Sequence, residues 1–151
     1  MHHSVVTTTP DQLVGKLTGV TASWLRMNGR DRVPLPIHVW LTVEGLGIRK
    51  LHTPGAGSIA ILDEAPHQTY NMDEHGTVEV SEGTPEVLGG KVGQTIEATS
   101  GLWQEPPGEE VGFILHFSDG DVGVANLADD LVIEPWPSPA WTRWGVSEIG
   151  K

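Results

Sequence analysis

The 151-residue chain contains no cysteine. Disulfide bonds, thiol nucleophiles and thiolate metal sites are therefore excluded, and folding in the cytoplasm is the simplest expectation. The chain also lacks any run that approaches the roughly 18 apolar residues needed to cross a bilayer. Its first residues, MHHSVVTTTPDQ, do not show the basic and apolar regions of a cleaved signal. The sequence predicts a cytoplasmic protein with no membrane association.

Basic residues are scarce, above all in the second half of the chain. The formal net charge is −11, and residues 63–134 hold sixteen acidic residues against one basic residue, Lys91. Such a surface repels phosphate and releases no counterions on binding it, so nucleic acid is not expected as a direct partner. A basic protein partner fits this charge better. The alternative is that the acidity only keeps the protein in solution.

Recognisable catalytic motifs are missing as well. Histidines are scattered without HxH or HExxH spacing, and no GxSxG, SxxK or phosphate-binding loop occurs. The sequence therefore predicts no catalytic residues, no metal and no cofactor. His38 and His116 lie in strand-like runs and are interpreted as half-buried structural residues. A hydrolase-type enzyme that uses Asp73, His75 or the hairpin aspartates named below, with an undetected metal, is the third alternative for function.

Alternation of apolar and polar residues is the strongest pattern present. Apolar side chains fall two residues apart from Ile37 to Val43 and again from Phe113 to Phe117, which places each set on one face of a strand. Asp119-Gly120 follows the second run as a strong hairpin signal. No convincing amphipathic helix is present. We expect an all-β fold, an antiparallel β-sandwich or a partly open β-barrel, with about eight to ten strands.

A short internal repeat accompanies these strands. LVGKL at 13–17 matches LGGKV at 88–92, and Glu44-Gly45 matches Asp119-Gly120 at the same offset of 75 residues. We interpret the chain, 1–151, as a single β-rich domain with two related β-meanders over about 13–62 and 88–134. A polar connection, 63–87, joins them and holds one predicted strand at 77–80. Independent strands that meet the same turn requirements are the alternative.

The tail, residues 135–151, is rich in proline and tryptophan. Its three prolines forbid a helix interior and favour extended or polyproline conformation. One interpretation is that the tail lies across an open sheet and covers it with indole rings. The alternative is a binding site for a small sugar-like or apolar ligand, formed by the tryptophans Trp40, Trp103, Trp136, Trp141 and Trp144.

Acidic residues around the hairpin carry the leading hypothesis. The DGD sequence at 119–121 lacks the further oxygen ligands of an EF-hand loop, and turn preference alone explains many aspartates. The functional alternative is a non-catalytic surface that binds a basic protein, in its sharpest form an inhibitor or immunity protein that covers the substrate groove of a toxin such as a nuclease. The residues assigned to that surface are Asp119, Asp121, Asp129, Asp130, Glu109 and Glu110. The sequence specifies neither their convergence on one face nor an oligomeric state.

Overall fold

The computed structural model describes residues 8–55 and 57–150, which form two antiparallel sheets. Strands account for 49% of residues and helices for 11%, and one sheet is curled into a half-barrel. The all-β prediction, a sandwich or partly open barrel, is confirmed. Within the described ranges no helix is long and apolar enough to cross a membrane. The first seven residues, which belong to the N-terminal stretch without the features of a cleaved signal, lie outside these ranges.

Sheet 1 comes mainly from the first half of the chain. Its strand order is β4-β3-β2-β1-β6-β5, and β7 pairs separately with β1. β1 to β4 therefore form one antiparallel meander. The strands are β1 (Gly15–Arg26), β2 (His38–Val43), β3 (Gly47–His52), β4 (Ala60–Leu62), β5 (Tyr70–Asn71), β6 (Thr77–Glu82) and β7 (Thr95–Ile96).

Sheet 2 holds a second meander, β8 to β11, in the order β11-β10-β9-β8-β12. The last strand returns to pair with β8. The strands are β8 (Ala98–Gln104), β9 (Glu109–His116), β10 (Asp121–Leu127), β11 (Asp130–Trp136) and β12 (Val146–Glu148). The described helices are α1 (Glu86–Gly89) and α2 (Pro139–Arg143), with single 3₁₀ turns at Pro10–Leu13 and Asp73–His75.

Alternating apolar residues of the two meanders form the core between the sheets. The side chains that alternate along β2, and along β9 and the residue after it, all belong to one buried cluster: Val39, Leu41, Val43, Phe113, Leu115 and Phe117. Residues of β1, β3, β4, β7, β10 and β11 and of two helical turns also belong to it. The two sheets therefore pack face to face, as a period of two in the sequence requires.

Each matching stretch of the repeat begins with a leucine that a helical turn points into this core. Thr9 precedes the turn Pro10–Leu13, and Thr84-Pro85 precede α1. Leu13 and Leu88 are both fully buried in the cluster. The match therefore extends to TPDQLVGKL at 9–17 and TPEVLGGKV at 84–92, at the same offset of 75 residues. A common origin of the two units stays a prediction.

Part of the outer face of sheet 2 is also buried, because the tail packs on it. Trp141 of α2 is 1% exposed and belongs to a second cluster with residues of β8 to β12. Gly123 of β10 makes room for it, since a Cβ atom at that position would lie 2.7 Å from Trp141 Cζ2. The Trp141 Nε1 donates to the Pro135 carbonyl at 2.9 Å. The tail therefore covers an open sheet through one indole ring.

The middle of the tail differs from the extended conformation that its prolines predict. Residues 139–143 form α2, in which Pro139 occupies the first turn, where no amide donor is needed. The chain then returns to sheet 2, where Val146 pairs with Gln104. The structure describes twelve strands, whereas about eight to ten were expected. β5 and β7 have only two residues each, which is too short for apolar and polar residues to show an alternating pattern.

Replacing Trp141 by Ala should lower the free energy of unfolding by about 3–5 kcal/mol, because a fully buried aromatic ring is lost and a cavity remains above Gly123. The control Trp103→Ala changes a residue that is 37% exposed and should cost less, about 1–2 kcal/mol, because less apolar surface leaves a buried environment. Urea denaturation measures both. Equal losses for the two variants would contradict the role of the tail as a cover.

Candidate functional site

The six acidic residues of the predicted partner surface fall into two groups at opposite ends of β10. Asp119 and Asp121 lie at the turn that enters this strand, whereas the start of β9 and the turn after β10 meet at its other end. β10 has seven residues, so the two groups are about 20 Å apart. The second group consists of Glu109, Glu110, Asp129 and Asp130.

Asp119 is held by contacts within the fold. Its carboxylate accepts hydrogen bonds from Lys91 Nζ at 2.7 Å and from Gln94 Nε2 at 3.1 Å. The bond from Lys91, followed by that from Gln94, lowers the pKa of this carboxyl group. Because Lys91 balances its charge, Asp119 fits the interpretation as a turn residue.

The second acidic group borders a cleft at the end of sheet 2, which we call the acidic cleft. Glu109 and Asp130 line it together with Pro106, Pro107 and the exposed indole of Trp144. Its volume is about 600 Å³. In the described part of the chain, no lysine or arginine forms a salt bridge with Glu109, Glu110, Asp129 or Asp130. This end of the sheet therefore presents four carboxylates that no described lysine or arginine pairs with.

The five tryptophans of the small-ligand alternative are not brought together. Trp136 and Trp141 lie with ring centroids 5.5 Å apart, and Trp144 is 6.1 Å from Trp141. Trp103 lies on β8, and Trp40 lies on the other sheet, in β2. Only Trp144 lines the acidic cleft. A ligand site would therefore use one part of this set.

Trp40 is the centre of an aromatic cluster on the outer face of sheet 1. It makes edge-to-face contacts with His38, at a centroid distance of 6.0 Å, and with His67, at 5.5 Å. His38 Nε2 lies 3.1 Å from His52 Nδ1. Residues 63–69 connect β4 with β5, which are the two edges of sheet 1, and so carry His67 across this face.

His38 is neutral at pH 7 in this cluster. Burial, followed by the charges of Lys50, His52 and His67, lowers its pKa to about 4 against the opposing effect of Glu64. Among residues 8–55 and 57–150, no group of three His, Asp or Glu side chains is placed to hold a metal ion. The indole Nε1 of Trp40 is buried without a hydrogen-bond partner among the described residues.

Three polar side chains form a hydrogen-bonded row across β8, β9 and β10 on the outer face of sheet 2. Ser100 Oγ lies 2.7 Å from His116 Nε2, and His116 Nδ1 lies 2.9 Å from Asp121 Oδ2. A carboxylate only accepts, so Nδ1 of the neutral ring donates to Asp121 and Nε2 accepts from the Ser100 hydroxyl. The Phe117 amide donates to Asp121 Oδ1 at 3.2 Å and fixes the carboxylate. We call these three residues the Ser100 row.

Sequence reasoning missed this row, although part of it has a local signal. Leu115 pairs with Val122, so His116 and Asp121 face each other across the start of the hairpin. Ser100 comes from β8, and no local motif marks it. The His116 side chain is 25% exposed, in line with its predicted half-buried position, and that of Asp121 is 28% exposed.

The remaining acid-base candidates lie elsewhere. Asp73 and His75 belong to the 3₁₀ turn between β5 and β6 of sheet 1. His75 Nε2 is 3.7 Å from the exposed carboxylate of Glu74. The hairpin aspartates lie on sheet 2, so the structure does not bring the residues of the third alternative into one site.

Comparisons of the chain with protein-family models, with curated proteins and with solved structures each gave no match. The acidic cleft, the Trp40 cluster and the Ser100 row are therefore the basis for assigning a function.

The free energy of unfolding should fall as the pH drops from about 6.5 to about 4. In that range an unfolded histidine binds a proton while folded His38 does not, so protonation favours the unfolded chain. Over the same drop in pH, the free energy of unfolding of the His38→Gln variant should fall by about 1–2 kcal/mol less than that of the wild type. This difference is smaller than the full pKa shift implies, because His38 is partly exposed and solvent screens its charge. The exposed His75→Gln serves as control, and urea titrations at both pH values measure all three. If the free energy of unfolding of His38→Gln fell as far as that of the wild type, the lowered pKa of His38 would be refuted.

Proposed function

We propose that this protein binds a basic protein partner through the acidic cleft. The observation that carries the proposal is the grouping of Glu109, Glu110, Asp129 and Asp130 at one end of sheet 2, without a salt bridge to a described lysine or arginine. Carboxylates that lack an internal cation are available to a cation from outside. Asp119, which Lys91 already balances, and Asp121, which binds His116, do not belong to this binding surface.

The lining of the cleft suits a long cationic side chain. Pro106, Pro107 and Trp144 give it an apolar wall, and Glu109 and Asp130 supply the charge. The methylene stem of a lysine or arginine can lie on the indole while its head group meets a carboxylate. In many protein interfaces, an aromatic side chain beside charged residues contributes a large part of the binding energy.

The wider charge of the chain supports the same class of partner. A field from sixteen acidic residues in 63–134 steers a basic protein and can raise association rates by roughly 10- to 1,000-fold. Fast capture is what an inhibitor needs, so the narrower form of the proposal is an immunity-type protein that covers the positive substrate groove of a toxin such as a nuclease. That role places the protein in the cytoplasm, which agrees with a chain free of cysteine.

Affinity capture from the host with a four-site variant tests this proposal. The variant carries Glu109→Gln, Glu110→Gln, Asp129→Asn and Asp130→Asn. A matched control carries Asp11→Asn, Glu44→Gln, Glu86→Gln and Glu97→Gln, which remove the same charge from exposed positions elsewhere. We expect a basic protein to be retained by the wild type and the control and lost by the four-site variant. Its association rate should fall at least tenfold between low and high salt.

Equal retention by both variants would place the interface elsewhere. An association rate that does not respond to salt would remove the argument from charge.

A second candidate is a small-ligand site beside Trp40, favoured by a cavity of about 520 Å³. It is lined by Trp40, which is 1% exposed, and by the threonines Thr18, Thr21 and Thr42. Threonine hydroxyl groups suit a sugar-like ligand better than an apolar one.

Titration of a panel of mono- and disaccharides should quench the intrinsic fluorescence in the wild type, and Trp40→Phe should abolish the response. Trp103→Phe, which changes an indole on the other sheet, should retain it. A wild type that responds to no sugar in the panel would reject this candidate.

A further inference from the structure

We propose that the Ser100 row is a nucleophilic site that hydrolyses short-chain carboxylic esters. This activity goes beyond partner binding and uses other residues. The row lies toward the Asp121 end of β10, whereas the acidic cleft lies at the Asp130 end. The two proposals can therefore be tested separately.

The geometry assigns each residue of the row a role. Ser100 Oγ lies within hydrogen-bond reach of His116 Nε2, at 2.7 Å, which places the nucleophile on its base. Asp121 accepts from Nδ1 at 2.9 Å and so fixes the tautomer in which Nε2 is free to take a proton. The three side chains come from three adjacent strands, a rigid support for such an arrangement.

The reaction follows from those positions. Ser100 Oγ attacks the ester carbonyl carbon while its proton passes to His116 Nε2, and the carbonyl π pair moves to oxygen. The tetrahedral intermediate collapses, the C–O bond to the alcohol breaks, and the leaving oxygen takes the proton from Nε2. Water then attacks the acyl-serine, giving its proton to Nε2, and the acid leaves as Ser100 recovers the proton. Asp121 stays a carboxylate throughout.

The Gly101 amide is the donor that we assign to the developing oxyanion. The Ile149 amide donates to the Gly101 carbonyl at 2.9 Å, so both main-chain groups of Gly101 point to the edge of β8 where β12 ends. A backbone amide next to the nucleophile is a common oxyanion donor. One such donor gives limited stabilisation, which favours esters over the less reactive amides.

The surroundings indicate the acyl group. Trp136 pairs with Asp121 across β10 and β11, so its side chain lies on the same face as the row. Its ring packs on that of Trp141 and is therefore held in place. His116 and Asp121 are each about a quarter exposed, so a substrate can approach from solvent. An open surface with one indole wall suits a short acyl chain.

A fluorophosphonate probe and p-nitrophenyl acetate test the proposal on the full chain. We expect mass spectrometry to find the probe on Ser100 and not on the exposed Ser118, and we expect measurable ester hydrolysis. Ser100→Ala and His116→Gln should reduce both at least tenfold, whereas Ser118→Ala should reduce neither. A wild type that takes up no more probe than heat-unfolded protein would overturn the proposal.

A thiol variant separates nucleophile activation from a structural role. The chain has no cysteine, so Ser100→Cys and the control Ser118→Cys each carry one thiol. If His116 accepts the proton of residue 100, iodoacetamide should alkylate the Ser100→Cys variant with a pH midpoint at least one unit below that of Ser118→Cys. Adding His116→Gln should remove the difference. Equal midpoints in the two single variants would refute the role of His116 as a base.

Discussion

The register of the β9–β10 hairpin is the constraint on which the rest of sheet 2 depends. Leu115 lies opposite Val122 and Phe113 opposite Val124, and all four side chains enter the core between the sheets. A slip by one residue would turn this set toward the outer face and expose it. The apolar alternation and the Asp119-Gly120 turn therefore specify the same pairing from two directions.

That register also determines what the outer face of sheet 2 presents. His116 and Gly123 are two of the residues that alternate with the core positions and face outward, and each has a defined neighbour. Gly123 leaves space for the indole of Trp141, which holds the tail against the sheet. His116 meets Asp121, and β8 supplies Ser100. The packing of the tail and the Ser100 row are thus two consequences of one strand pairing.

The same pairing separates the acidic residues by the contacts that they make. Asp121 binds the imidazole of His116 and Asp119 binds Lys91, so the turn before β10 is committed to contacts within the fold. The turn after β10 carries Asp129 and Asp130, and Asp130 lines the acidic cleft with Glu109 and Trp144. No described lysine or arginine forms a salt bridge with these carboxylates. The acidic second half of the chain therefore has aspartates with internal hydrogen-bond partners at one end of β10 and carboxylates without a described salt bridge at the other.

Sequence reasoning reached the features that depend on neighbours along the chain. The period of two identified the faces of β2 and β9, and the Asp119-Gly120 signal located the hairpin, because both are local consequences of backbone geometry. The charge field is likewise a property of composition. The fuller repeat was present in the sequence, since Thr-Pro precedes both matching turns.

The missed features depend on contacts between distant residues. Ser100 meets His116 only because β8 pairs with β9 through a connection whose register the sequence does not show. Trp40 meets His67 because residues 63–69 cross from one edge of sheet 1 to the other. α2 escaped notice because Pro139 reads as a helix breaker unless it occupies the first turn.

The most direct test of this account is the tautomer of His116, read from a long-range ¹H–¹⁵N correlation spectrum at neutral pH. The register of the hairpin places Nδ1 against the Asp121 carboxylate, so we expect Nδ1 to carry a proton whose downfield signal shifts in Asp121→Asn. A neutral ring protonated at Nε2, unaffected by Asp121→Asn, would contradict the pairing and the row built on it.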